Sequence, residues 1–151
     1  MKVLVHDLNE QNFSQMEITK DNYTVINANT TSAPCVSCYN CWLKTPGTCK
    51  INDCLKNTGT LLGNSEETVL ISQNYYGGYS EQVKKLLDRS IPGSLPFYTY
   101  RSWKVRHIKR YKIDRKRLTV RRNTIPNINK LDNNIINLYH SFNEVYRIDI
   151  I

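Results

Sequence analysis

The feature that most limits the fold of this chain is a short apolar run near its middle. Residues 67–72 read Glu-Thr-Val-Leu-Ile-Ser, and polar residues flank the run on both sides. A buried helix needs about ten residues or more, so a run of this length predicts a strand that is buried on both faces. Such strands are typical of parallel sheets covered by helices, and this one therefore predicts an α/β fold.

The other segments supply the remaining elements of such a fold. Alternating or β-branched residues predict four further strands, at 2–8, 23–26, 117–121 and 144–151. Helices are predicted where apolar residues recur at helical spacing, from Asp53 to Gly63, from Ser80 to Pro92 and over 128–142. The chain of 151 residues has the length of one domain, so we expect a single domain over residues 1–151, with a parallel sheet covered on both faces.

The positive charge is concentrated in one part of the chain. The net charge is +8, but residues 101–122 carry eleven basic residues against one acidic residue, whereas the rest carries ten basic and twelve acidic residues. This basic stretch is either a solvated face or a surface for a phosphorylated cofactor, a neighbouring subunit or nucleic acid. Aromatic residues lie within or beside it, at Tyr98, Tyr100, Trp103 and Tyr111. Because the charge is local, a nucleic-acid partner is not the expected one.

No part of the sequence predicts a membrane partner or secretion. No apolar run approaches the ~20 residues that a membrane-spanning helix needs. The first residues pass from a strand-like run directly into Asp7, Asn9 and Glu10, which is not the pattern of a signal peptide. We therefore expect a cytoplasmic protein, and its five cysteines, an odd number, do not predict a disulfide framework.

The loop after the third predicted strand has an unusual composition. Residues 73–80 read Gln-Asn-Tyr-Tyr-Gly-Gly-Tyr-Ser and join the buried strand to the next helix. In open parallel sheets, ligands bind outside the carboxyl ends of the strands. The glycines would let the backbone approach a flat ligand, and Tyr75 or Tyr76 could cover a ring face. The alternative is a glycine-rich turn whose tyrosines only pack.

Four cysteines follow the second predicted strand in one loop. Cys35, Cys38 and Cys41 are each separated by two residues, and Cys49 follows after seven more. The spacing is related to that of ferredoxin motifs, so these four are candidate ligands of a [4Fe–4S] cluster. Zinc fits less well, because structural zinc sites usually take two separated cysteine pairs. A redox dithiol, or free thiols in a loop held by packing of Tyr39 and Trp42, are the other interpretations.

Several of these segments together resemble one family. QNYYGGYS, then VKKLLDRSIP and LPFY, are similar to the flavin-binding loop and helix of the flavodoxin-like NADPH-dependent FMN reductases. The resemblance extends to CVSCYNCWLKTPGTCKIND and to RHIKRY, so it covers about residues 33–111. The cysteine spacing also resembles that of iron–sulfur flavoproteins, which are relatives within the same group.

The resemblance implies a flavodoxin-like three-layer sandwich with a five-stranded parallel sheet of order 2-1-3-4-5. It further implies FMN as cofactor, NAD(P)H as reductant, a small-molecule or protein electron acceptor, and a homodimer or homotetramer. We therefore expect an FMN-binding NAD(P)H-dependent oxidoreductase or an electron-transfer flavoprotein. The residues predicted to contact the flavin are Asn74, Tyr75, Tyr76, Gly77, Gly78 and Tyr79, together with Cys35, His107 and Arg110.

The segment after the first predicted strand departs from the family pattern. Residues 8–14 contain no glycine and one acid, and only about fourteen residues separate the first two strands, which is too few for a full helix and two loops. The usual cradle for the FMN phosphate is therefore degenerate. Either FMN binds weakly, or cations such as Arg106 and Arg110 replace the cradle. The alternative functions are a protein- or nucleic-acid-binding module with weak or lost flavin binding, and a [4Fe–4S] flavoprotein.

Overall fold

The computed structural model describes residues 1–14, 22–74, 78–101, 103–113 and 116–122 of the chain. Its strands are β1 (Lys2–His6), β2 (Tyr23–Asn27), β3 (Glu67–Gln73), β4 (Ser94–Arg101), β5 (Lys104–Lys109) and β6 (Lys116–Arg122). Its helices are α1 (Glu10–Ser14), α2 (Asn40–Leu43), α3 (Thr58–Gly63) and α4 (Glu81–Asp88), and a 3₁₀ turn follows at Ile91–Gly93. Among these residues, no helix is long and apolar enough to cross a membrane.

The centre of the fold is a parallel sheet of order β2-β1-β3-β6. β1 lies between β2 and β3, and Val5 pairs with Ile26 on one side and with Leu70 on the other. β3 is buried along nearly its whole length, as its apolar run predicts. The α/β class, the parallel sheet and the order 2-1-3 are therefore confirmed, and β6 extends the sheet on the far side of β3.

The prediction of a five-stranded parallel sheet is wrong for the described residues. The fourth and fifth strands along the chain, β4 and β5, pair antiparallel in a separate two-stranded sheet, with Tyr98 opposite His107. Basic residues interrupt the apolar alternation of β5, so the sequence pattern does not predict that strand. The predicted helix over 128–142 and the predicted strand at 144–151 lie outside the described residues.

Apolar side chains pack on both faces of the parallel sheet. One face carries a cluster that includes Val5, Leu70, Leu62 of α3 and Leu86 of α4, all at most 4% exposed. The other face carries Leu4, Leu8, Val69 and Ile71, against which Phe13 of α1 and Tyr23 pack. Alternate residues of β1 and β3 thus enter opposite layers, which is why both strands are continuous apolar runs.

The region between β2 and β3 differs in detail from its prediction. The helix begins at Thr58 rather than at Asp53, so α3 has six residues. Asp53 instead accepts hydrogen bonds from the backbone N–H groups of Leu55 and Ala33, at 3.0 and 3.1 Å. Its carboxylate therefore organises the loop before α3.

Candidate functional site

The carboxyl ends of β1 and β3 meet at one edge of the sheet, called here the β1/β3 edge and formed by residues 7–9 and 72–74. In the order 2-1-3 the chain leaves β1 toward one side of the sheet and leaves β3 toward the other side. The crevice between these two strand ends is where open parallel sheets bind ligands. The Oδ2 atom of Asp7 accepts a hydrogen bond from the backbone N–H of Gln73 at 2.8 Å, and the Ser72 hydroxyl lies 3.4 Å from the same atom. Asp7 therefore joins the ends of the two central strands.

The end of β2 is joined to the same edge through Asn29. Its Nδ2 donates to the carbonyl oxygen of Asp7 at 2.9 Å and lies 3.3 Å from that of Leu8. Three strand ends are thus held together by short polar side chains, a type of residue that the sequence pattern alone did not single out.

The loop predicted to hold the flavin begins and ends at this edge. The backbone N–H of Ser80 donates to the Ser72 hydroxyl at 2.9 Å, and the Ser80 hydroxyl in turn accepts from the backbone N–H of Val83 at the start of α4. Because two residues eight positions apart are hydrogen-bonded, residues 73–79 form a closed loop beside the β1/β3 edge. Ser72 was not predicted, and its signal would have been a hydroxyl at the end of a buried strand.

The predicted flavin contacts in this loop are only partly described. Asn74, Gly78 and Tyr79 are half-buried, and Tyr79 packs against the apolar cluster that α4 covers. Tyr75, Tyr76 and Gly77 lie outside the described residues. Tyr79 therefore anchors the described end of the loop to the core.

The segment after β1 is closed by its own hydrogen bonds. The backbone N–H of Asp7 donates to Ile71, that of Leu8 donates to Nδ1 of His6, and those of Asn12 and Phe13 donate to Asn9. His6 is buried and stacks on Phe13 with ring centroids 4.1 Å apart, which fixes the short α1 on the sheet. The degenerate phosphate cradle predicted from the sequence is thus a turn in which four backbone N–H groups are already bonded.

The four-cysteine loop lies apart from the residues just described. Cys49 is buried, Cys35 and Cys41 are half-buried, and Cys38 is exposed. Burial raises the pKa of the Cys41 thiol, and the charges of Cys49, Cys35 and Cys38 raise it further, so the four sulfurs are near enough to interact. In the described part of the chain, however, no group of three or more His, Cys, Asp or Glu side chains is arranged to hold a metal ion. The cysteines as placed do not fit a cluster.

Cys38 is the most accessible thiol of the loop and has an altered acidity. Hydrogen bonding from the backbone of Asn40 lowers its pKa, outweighing the opposing effect of desolvation, and the charge of Lys50 adds to the lowering. The backbone reaches this arrangement through left-handed conformations at Ser37 and Tyr39, with φ of 52° and 54°. A thiol that is both exposed and more acidic is the reactive one of a set.

A buried arginine at the end of α4 binds both ends of the cysteine loop. Arg89 is 1% exposed, and its guanidinium donates to both carboxylate oxygens of Asp53 at 2.7 and 2.9 Å. It also donates to the carbonyl oxygens of Ala33 at 2.7 Å and Ile51 at 3.4 Å. Burial disfavours the charge of Arg89, but Asp53 and Cys49 outweigh this effect and raise its pKa. Arg89 lies within the VKKLLDRSIP segment of the resemblance, but the sequence did not predict that its side chain is buried.

The structure places His107 and Arg110 beside the cysteine loop. Nδ1 of His107 lies 3.0 Å from the carbonyl oxygen of Leu95, and because a carbonyl only accepts, Nδ1 is the donor of this hydrogen bond. The His107 ring lies between Trp42 and Tyr98, with centroids 5.2 and 4.3 Å away. Nε of Arg110 donates to the carbonyl oxygen of Pro92 at 2.9 Å.

The predicted site therefore divides into two groups. His107 and Arg110 lie at the turn that follows the C-terminal end of α4, whereas Ser80 and the closed loop lie at its N-terminal end. The eight residues of α4 span about 12 Å. Within one chain, then, Asn74, Gly78 and Tyr79 form one group, and Cys35, His107 and Arg110 belong to the other.

The hairpin of β4 and β5 exposes several large apolar side chains. Trp103 is 91% exposed, and Phe97, Tyr98 and Tyr100 are each 64% exposed. Lys104, Arg106 and Lys109 lie on β5, the partner strand of β4. The hairpin thus presents an exposed surface that combines aromatic and cationic groups.

Comparison with known proteins does not add a relative to this description. No model of a known protein family matches the chain, and a search of curated proteins found no match to it.

Proposed function

We propose that the chain is a flavin-binding redox protein of the flavodoxin-like NADPH-dependent FMN reductase group. The observation that supports this most directly is the closed loop of residues 73–79, held by the Ser72–Ser80 hydrogen bond at the β1/β3 edge. The loop follows β3 in a sheet of order 2-1-3, which is where such sheets bind ligands. Its tyrosines and glycines agree with a surface on which the flat flavin ring could lie. The ring would lie against Asn74, Tyr75, Tyr76, Gly77 and Gly78.

In this proposal the protein supplies binding and orientation, and the flavin supplies the electron and hydride chemistry. The chain's own contribution is the backbone of the closed loop, the aromatic faces beside it and the exclusion of water from the ring. The reductant is NAD(P)H, the acceptor is a small molecule or a protein, and the protein assembles as a homodimer or homotetramer. The same reasoning covers a one-electron carrier, in which a partner protein replaces NAD(P)H.

The test is a flavin titration followed by quenching of flavin fluorescence, with the visible spectrum recorded in parallel. Ser72→Ala removes the hydroxyl that closes the loop, and we expect flavin affinity to fall about tenfold, equivalent to one lost hydrogen bond of about 1.4 kcal/mol. Tyr98→Ala, on the exposed hairpin, is the matched control and should leave the affinity unchanged.

The same titration separates the alternatives. Absence of any flavin binding or thermal stabilisation by excess flavin would reject the proposal. A broad brown absorbance of anaerobically purified protein in place of the two flavin bands would instead indicate an iron–sulfur cluster on Cys35, Cys38, Cys41 and Cys49.

The exposed hairpin favours a second candidate function, a binding module for single-stranded nucleic acid. Trp103 and Tyr100 could stack on bases while Lys104 and Lys109 neutralise phosphates, which is the usual combination in such surfaces. Fluorescence anisotropy with a labelled oligonucleotide tests this, and binding should weaken steeply with salt and in Trp103→Ala. Binding that is absent at low salt would reject this function without affecting the flavin proposal.

A further inference from the structure

The segment after β1 bears on which flavin the β1/β3 edge would accept. In a sheet of order 2-1-3, a flavin mononucleotide lies at the edge between β1 and β3. Its phosphate, a dianion, needs unpaired backbone N–H groups or cations, usually from a glycine-containing loop that begins a helix. Residues 7–14 are the part of this chain in the corresponding position.

Several of the backbone donors in this segment are already committed. Four of its N–H groups, those of Asp7, Leu8, Asn12 and Phe13, donate to partners inside the protein. The Asn9 side chain, which could otherwise face a ligand, accepts the bond from Asn12 at 2.9 Å. With five residues, α1 is also too short to contribute a strong N-terminal field.

The charged side chains of the segment after β1 are acidic. Asp7 lies at the β1/β3 edge, and Glu10 is in the first turn of α1, where it is exposed. Between residues 3 and 14 the sequence contains these two acids and no Lys or Arg. Arg110, which could have replaced a cradle, donates to Pro92 at the far end of α4.

We propose that the flavin site recognises the ring and its polyol chain but not a terminal phosphate, so that riboflavin binds at least as tightly as FMN. This inference rests on the proposed function. The repulsion of the phosphate by Asp7 and Glu10 acts between partly exposed charges, so salt weakens it. The segment after β1 therefore does not favour the phosphate of FMN.

The test is a pair of titrations, riboflavin against FMN, each followed by quenching of flavin fluorescence at low and at moderate ionic strength. At low salt we expect FMN to bind about tenfold more weakly than riboflavin, with the difference shrinking as salt screens the charges. Glu10→Gln should strengthen FMN binding several-fold and leave riboflavin binding unchanged. Glu66→Gln is the matched control, because Glu66 is an exposed acid that pairs with the N-terminal amine at the opposite ends of the strands.

The outcomes distinguish failure of this inference from failure of the proposed function. FMN binding that is more than threefold tighter than riboflavin binding would overturn the inference and leave the flavin proposal intact. An FMN affinity that Glu10→Gln does not change would overturn the role given to that carboxylate. Failure of both flavins to bind would overturn the proposed function, and the inference with it.

Discussion

At the scale of single residues, Arg89 is the most constrained side chain of the described structure. It is fully buried, charged and bonded to both oxygens of Asp53 and to two carbonyl groups of the cysteine loop. A buried ion pair contributes little by comparison with apolar packing, but removing one partner leaves an uncompensated charge in the interior. Arg89 and Asp53 therefore act as a unit that fixes the path of residues 33–53.

We predict that Asp53→Asn destabilises the protein by about 3 kcal/mol, because Arg89 then remains buried without its counter-charge. The pairing lowers the pKa of Asp53, so its contribution is present above the unfolded pKa of about 3.9 and is lost as the pH falls through the folded value. Urea unfolding at neutral and acidic pH measures both effects. Asp88→Asn, at the neighbouring exposed position, should change stability by less than about 0.5 kcal/mol; equal losses in the two variants would contradict the prediction.

The thiols of the cysteine loop should differ in reactivity. Cys38 is exposed and its pKa is lowered by the Asn40 backbone, whereas burial raises the pKa of Cys41. Because the thiolate is the nucleophile, we predict that iodoacetamide at neutral pH alkylates Cys38 about tenfold faster than Cys41. Peptide mapping by mass spectrometry gives the two rates. Rates that converge in denaturant but differ in the native protein would attribute the difference to the fold, and equal native rates would refute it.

At the scale of elements, the sequence predicts the parallel strands better than the hairpin. Runs such as Val69–Ile71 are apolar because both faces of their strand are buried, so the pattern itself reports the environment. β4 and β5 have no such environment, since their aromatic residues Phe97 and Tyr100 remain exposed. Their pairing depends on each other and on contacts with α2, which local patterns do not contain.

One contact of this kind joins the segment after the hairpin to α3. A Cβ at Gly63 would overlap the ring of Tyr111, whose hydroxyl also donates to Thr60 at 3.3 Å. We predict that Gly63→Ala costs about 2 kcal/mol in unfolding free energy, although alanine favours helices. The measurement is urea unfolding, and the double variant Gly63→Ala, Tyr111→Leu should recover part of the loss. A destabilisation that the double variant does not relieve would place the strain elsewhere.

At the scale of the whole molecule, the candidate site shows which features local sequence patterns can predict and which they cannot. The loop 73–80 could be predicted because its composition and its position after a buried strand are both local features. The separation of His107 and Arg110 from that loop could not, because it depends on how α4 and the 91–93 turn carry the chain to the other end of the sheet. A motif preserves the order of residues along the chain, and only packing determines which of them meet.

The distribution of charge over the whole molecule gives a prediction for its assembly. Residues 101–122 carry eleven basic residues and one acidic residue, whereas the rest of the chain carries ten basic and twelve acidic residues and is slightly acidic. Two such basic stretches repel each other, so the proposed homodimer or homotetramer should place residues 101–122 of one subunit against the slightly acidic remainder of another. We predict that sedimentation velocity shows assemblies at low salt that dissociate as the ionic strength rises.

Trp103→Ser should weaken them at least tenfold, because that side chain is 91% exposed on the hairpin, whereas Val36→Ser, at an exposed position of the cysteine loop, should not. A dimer that neither salt nor Trp103→Ser affects would place the interface elsewhere on the molecule.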